Sequence, residues 1–329
     1  MTKKIILLAL CSLLFAPCSA VNAQQERKVL PIGFLDASIE SDSAVLAEPF
    51  RQELSKLGWI EGKNIAFEYR FAEGNPERQR ELAAELVRLK VDLIVVAGIG
   101  PAIAAKSATT TTPIVMASAG DPVGAGLVSS LARPGGNITG FSALATELNT
   151  KRLEVLKDAV PKLVRVGLLR APTGGPVGDR SLKDLRAAAL SLQLKLEEID
   201  TQLGAKGLES AFQTAKQKQV GAIMTQANRR FVGERKRIVE LAGKHRLPAL
   251  YSQKAFVDEG GLMSYGVDYD DLFRRAAVYV DKILKGTKPA DLPVQQATKF
   301  EFVVNLKAAK QIGLIVPVNV LERANQVIK

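Results

Sequence analysis

The chain has 329 residues, 47% of them hydrophobic, and carries 45 Lys and Arg against 34 Asp and Glu for a formal net charge of +11. That length and apolar content support one large or two medium domains with proper cores. The cysteines are Cys11 and Cys18 and the one histidine is His245, which excludes a disulfide-rich scaffold and leaves any histidine-based catalysis to a single residue.

Lys3 and Lys4 precede an apolar run from Ile5 to Ala16, and Val21-Asn22-Ala23 has the small-x-small form that signal peptidase cleaves after. The run falls short of the roughly 20 residues of a membrane-spanning helix. Residues 1–23 therefore read as a secretory signal peptide, with a mature chain starting near Gln24 in the periplasm. Pro17 stands where a lipidated cysteine is normally preceded by Gly, Ala or Ser, which favours soluble export over lipid anchoring at Cys18. A mature chain so cut has no cysteine, and disulfides, thiolate metal sites and a cysteine nucleophile are excluded from it. Loss of Lys3 and Lys4 takes the charge from +11 to +9. The other basic residues alternate with acidic ones, as in Glu77-Arg78-Gln79-Arg80-Glu81, the pattern of a solvated helix face; no nucleic-acid partner is expected.

Short β-branched runs then alternate with helical periods. Strands are expected at Val29–Leu35, Asn64–Arg70, Asp92–Ala97, Pro113–Ala117 and Ile138–Phe141, then at Val164–Leu169, Lys195–Ile199, Gly221–Thr225 and Pro248–Tyr251. Leu272, Phe273, Ala276, Val280 and Ile283 follow a helical period within Asp270–Lys285. The βαβ rhythm runs twice, so the fold class is α/β with two Rossmann-like lobes. The first is expected to take residues 24–142 plus about 266–290, and the second 143–265 plus about 291–329. Gly260–Gly266 reads as an extended crossing and Asp291–Ala297 as a third. No low-complexity linker is present, and several crossings make a multi-strand hinge in place of a free joint.

Catalytic constellations are thin. His245 precedes a proline-led strand and reads as a helix C-cap. No Gly-x-Ser-x-Gly elbow or phosphate loop is present. Val96-Ala97-Gly98-Ile99-Gly100-Pro101 lacks the third glycine of a dinucleotide fingerprint, Ile103 standing there. Gly98 and Gly100 offer bare backbone to a carboxylate or another acceptor, or simply make a tight strand-to-helix turn. Asp121-Pro122 reads as a helix start.

In an open parallel sheet, ligands bind outside the carboxyl ends of the strands. The candidate ligand residues are therefore Asp36, Ala37 and Ser38, then Gly98, Ile99 and Gly100, then Ser118, Ala119 and Thr139. The second lobe offers Arg170, Thr173, Gln226, Asn228 and Tyr251, with Tyr265 in the crossing stretch and Asp268 just beyond it. Polar side chains and glycines gather at these loops without a nucleophile and its base, which points to binding and not to chemistry, with no cofactor and no metal.

Taken together, several stretches resemble the type I periplasmic substrate-binding proteins of ABC transporters, in the group with tryptophan/tyrosine-like uptake members. They are Leu57-Gly58-Trp59-Ile60-Glu61-Gly62, Asp92-Leu93-Ile94-Val95, Ala119-Gly120-Asp121-Pro122-Val123, Arg133-Pro134-Gly135-Gly136-Asn137, Gly260-Gly261-Leu262-Met263-Ser264-Tyr265-Gly266 and Gly286-Thr287-Lys288-Pro289. The resemblance covers nearly all of the mature chain. It implies a monomer whose lobes close on a small solute, an aromatic or other amino acid or a small carboxylate, and deliver it to a membrane permease driven by an ATPase. Two departures bear on the ligand. Arg170-Ala171-Pro172 stands where relatives carry an Asn-Pro turn, and an inward arginine favours an anionic solute. Asn228-Arg229 replaces an Asp-Pro, removing a carboxylate that pairs an ammonium group. Two other readings share the fold: an exported sensor that docks on a receptor, and an exported enzyme using Asp36 and Asp268 as an acid–base pair.

Overall fold

The computed structural model describes residues 29–171 and 176–329; residues 1–23, expected to be a signal peptide, with Cys18 among them, and Thr173 lie outside the described residues. In chain order the first elements are β1 (Leu30–Asp36), α1 (Glu40–Lys56), β2 (Ile65–Phe71), α2 (Pro76–Arg88), β3 (Leu93–Ala97), α3 (Ile99–Ala108), β4 (Ile114–Ala119), β5 (Ile138–Ser142) and α4 (Ala145–Ala159). Then come β6 (Arg165–Arg170), α5 (Pro176–Ser191), β7 (Lys195–Asp200), α6 (Ala205–Gln217), β8 (Ala222–Thr225), α7 (Arg229–Gly233), α8 (Arg235–Lys244), β9 (Ala249–Tyr251), α9 (Ala255–Asp258), β10 (Met263–Val267) and α10 (Tyr269–Leu284). A 3-10 turn (Pro289–Asp291), β11 (Gln295–Gln296), β12 (Phe300–Asn305), α11 (Leu306–Ile312), α12 (Val318–Leu321) and β13 (Gln326–Ile328) complete the chain. Each strand expected between residues 29 and 251 is present, its ends shifted by a residue or two.

The strands form two sheets, ordered β11-β5-β4-β3-β1-β2 and β13-β12-β10-β9-β8-β6-β7. The first is parallel throughout, and in the second β12 runs antiparallel to β10. β3 and β4 are buried along their whole length, as continuous apolar strands are when helices cover both faces. No helix among the described residues is long and apolar enough to cross a membrane.

The chain passes between the lobes three times. Helix α10 follows a strand of the second sheet, yet it lays Leu272, Phe273, Ala276 and Val280 into the first core beside Phe34 and Phe50. Burying Phe273 alone favours that placement by roughly 1.5–3 kcal/mol. Trp59 fixes the far end of the helix by donating its indole N–H to Asp281 at 2.8 Å. At the first passage Leu144 takes a left-handed backbone (φ 49°), uncommon outside glycine and a local source of strain.

The third passage lies later than the expected Asp291–Ala297. Leu292 and Ala297 are buried in the first core, Val294 lies in the cluster beneath α2 and α3, and β11 pairs with β5. The chain therefore crosses between Ala297 and Phe300, and the second lobe resumes there and not at about 291. A two-residue strand has no period of its own, so composition cannot tell it from a linker. The terminal strands β12 and β13, absent from the expectation, extend the second sheet and carry Phe302 and Val304 into its core.

Candidate functional site

The carboxyl ends of the first sheet make a closely tied platform. Asp36 is fully buried and accepts the Ser38 amide at 2.9 Å and the Ser43 hydroxyl at 2.8 Å, so its carboxylate organises the turn from β1 into α1. The loop after β2 folds onto this turn: Gly74 N–H donates to the Ala37 carbonyl at 2.6 Å. Gly98 (φ 106°) donates to the Ser118 carbonyl at 2.8 Å, tying β3 to β4. Helix α3 starts at Ile99 with no side-chain cap, leaving its first-turn amides without a side-chain acceptor. Gly100 packs against Gln79, whose side chain would have to move to admit a Cβ there. Ser118 and Ala119 lie where β4 bulges, the register stepping from Met116↔Gly140 to Ala119↔Ser142.

Across the cleft the second sheet ends less fully satisfied. Gln226 donates its amide N–H to Leu169 at 2.9 Å, but its side-chain Oε1 is buried with no hydrogen-bond partner. Asn228 accepts the Arg230 amide at 2.9 Å and so starts α7. The Arg230 side chain reaches the other lobe: a Cβ built on Gly74 would lie 2.7 Å from Nε and 3.2 Å from Cδ. Gly74 (φ 74°) therefore admits both a left-handed turn and the arginine. This contact brings the carboxyl ends of the two sheets face to face.

The hinge is held by Arg152 of α4, which is 2% exposed. It donates from Nε to the Tyr265 carbonyl at 2.6 Å and from Nη1 to Asn149 Oδ1 at 2.8 Å. Burial pushes its guanidinium down to about 10. Tyr265 itself packs against both cores and edge-on to Phe302.

Residues 37–328 match the family described as ABC transporter substrate binding protein. The chain belongs to that family. The tyrosine-binding protein of Clostridioides difficile (strain R20291) is 27% identical over 270 residues, 80% of this chain and 75% of that protein. A conserved domain protein from Vibrio cholerae O1 biovar eltor superposes with a TM-score of 0.83 at 30% identity, covering 91% of this chain and all of that one. An ABC domain from Streptococcus pneumonia in complex with L-Trp gives 0.82 at 26%, covering 92% and 100%. The α/β architecture of two lobes joined by a hinge is that of the type I periplasmic binding proteins.

In this substrate-binding protein the expected ligand residues divide by position. Asp36, Ala37, Ser38, Gly98, Ile99, Gly100, Ser118 and Ala119 are gathered at the first sheet's carboxyl ends, and Gln226 and Asn228 stand at the second's. Four others are turned away or engaged. Thr139 is fully buried inside β5 and donates to the Leu292 carbonyl at 2.6 Å. Arg170 does not offer a free charge: it pairs with Glu198 at 3.0 Å and Asp200 at 2.5 Å on the neighbouring strand. Tyr251 lies in the second-lobe core, stacked on Phe256 at 4.7 Å, and burial alone pushes its hydroxyl far up. Asp268 caps α10 through the Asp271 amide at 2.9 Å. Asp36 and Asp268, the two carboxylates of the enzyme alternative, each hold a turn of their own. Tyr265 serves the hinge. Asp121 caps a single turn and not a helix, accepting the Gly124 amide at 2.8 Å. His245 is the C-cap of α8, stacked on Phe212.

Sequence reasoning missed Arg230 and Gly74. The pair Arg229-Arg230 just beyond a strand end was a signal, but nothing in its spacing names the loop it meets. A surface hollow lined by Arg51, Trp59, Ile60 and Phe67 lies where β2 begins, at the opposite end of the sheet from these loops.

Proposed function

We propose that this protein is the extracytoplasmic solute receptor of an ABC importer, binding a small carboxylate-bearing solute between its lobes and handing it to a membrane permease. The observation that carries the reading is the meeting of the two sets of strand ends at Arg230 and Gly74 across a three-passage hinge. A solute touching both sides stabilises the closed state by the difference in its contacts between open and closed forms, and by nothing else. The named relatives, one tyrosine-binding and one holding L-Trp, support a carboxylate as part of the ligand. First-lobe amides at Ile99 and Gly100 are suited to such a group. Export follows cleavage after Ala23, the receptor works as a monomer, and it binds its solute without turning it over.

Native mass spectrometry of the mature protein, before and after mild unfolding, tests this reading. A co-purified small molecule released chemically unchanged is expected. Conversion of the released molecule to a product when it is returned to the protein would overturn it.

A further inference from the structure

Resting on the receptor reading, the charges around the cleft narrow the class of solute. The Arg230 Nε is buried without a hydrogen-bond partner, and its guanidinium has no ion pair among the described residues. Three acidic side chains of the facing loops are already engaged. Asp36 holds Ser38 and Ser43, Glu73 pairs with Arg78 at 3.1 Å, and Asp121 holds the Gly124 amide. On Arg230's own side Asn228 is neutral, and Glu234 accepts the Gly204 amide at 2.9 Å. Asp268, at the hinge, is held by the Asp271 amide.

We propose that Arg230 is the specificity-determining residue of the cleft and selects anionic carboxylates without an ammonium group over zwitterionic amino acids. A buried cationic donor left unpaired is costly, and an anion entering the cleft removes that cost. The planar guanidinium presents parallel donors that match a carboxylate. An ammonium group would meet the like charge of Arg230 and find Asp36, Glu73 and Asp121 engaged, so it loses its water without a replacement from them. The unpartnered Gln226 Oε1 accepts from a hydroxyl or amide on the same solute.

Matched pairs test this by calorimetry on the mature protein: 3-phenylpropionate against L-phenylalanine, indole-3-propionate against L-tryptophan, succinate against L-aspartate. The wild type is expected to bind an acid at least about tenfold tighter than its amino acid. R230Q should weaken that acid by about 30-fold or more, as when one partner of a buried charge pair is truncated, with R230K intermediate. An amino acid preferred over its acid, or an acid bound equally by wild type and by a folded R230Q, overturns the proposal and leaves the receptor reading standing. So does a neutral or cationic solute found by native mass spectrometry. Should R230Q fail to fold, the wild-type ranking decides. Absence of any binder among acids, amino acids, sugars and polyamines overturns both.

Discussion

The two faces of the cleft are built on opposite principles. On the first lobe the polar atoms of the strand ends are tied to one another: Asp36 to Ser38 and Ser43, Gly98 to Ser118, Ser142 to Gly120. On the second lobe Gln226 Oε1 and Arg230 Nε are buried with no hydrogen-bond partner among the described residues. The first face is a platform whose geometry is fixed before a solute arrives, and the second holds groups that a solute can satisfy. Preorganisation lowers the ordering cost of binding, while unsatisfied groups discriminate between solutes, because an ill-matched one leaves them unpaired.

The platform breaks most readily at Gly140. A Cβ there would stand 2.2 Å from the Met116 carbonyl oxygen, and φ is +132°, so Gly140→Val is expected to cost about 3–5 kcal/mol of stability. Urea unfolding measures it, and a loss under about 1 kcal/mol would show that the β4–β5 bulge is soft. Next comes the contact between the faces. Gly74→Val forces Arg230 off its seat; affinity for the bound solute should fall about tenfold, with about 1 kcal/mol lost from the fold because φ is positive. Equal affinity in the variant would mean that the lobes close without this contact.

Arg170→Gln sharpens the comparison from the other direction. Its partners lie on β7 and the side chains are partly exposed, so stability should drop by no more than about 1 kcal/mol and solute affinity should stay within about twofold. A large affinity loss would put Arg170 in the cleft. The smallest effect concerns pH. Burial, and then the neighbouring Asp268, holds the Glu301 carboxyl above its ordinary value. The native state thus binds this proton more tightly than the unfolded chain. Its contribution is greatest below the unfolded carboxylate value and is lost as pH rises through the raised native one. Glu301→Gln should flatten this part of the decline as pH rises above the ordinary carboxylate value and raise the Tm at pH 7 by about 1 °C; an unchanged pH profile would refute it.

The strand ends were legible because they follow from two things a sequence carries: alternation of apolar runs with helical periods, and the rule that parallel sheets bind at their carboxyl ends. Asp36, Gly98, Ser118 and Gln226 were placed on those grounds. Thr139 and Tyr251 were not separable from them, since in a strand buried on both faces the period does not reveal which residue reaches solvent.

By itself, then, the chain determined two α/β lobes, their family and the loops at the carboxyl ends of the strands, because those depend on local pattern and on motifs. Tertiary structure alone decided that Arg170 is neutralised by Glu198 and Asp200 while Arg230 has no ion pair among the described residues, that residues 292–297 stay with the first lobe, and that Gly74 meets an arginine of the other. Those outcomes depend on which side chains distant stretches of chain bring within a few ångströms of each other, and charge and hydrogen-bond capacity are assigned at that range.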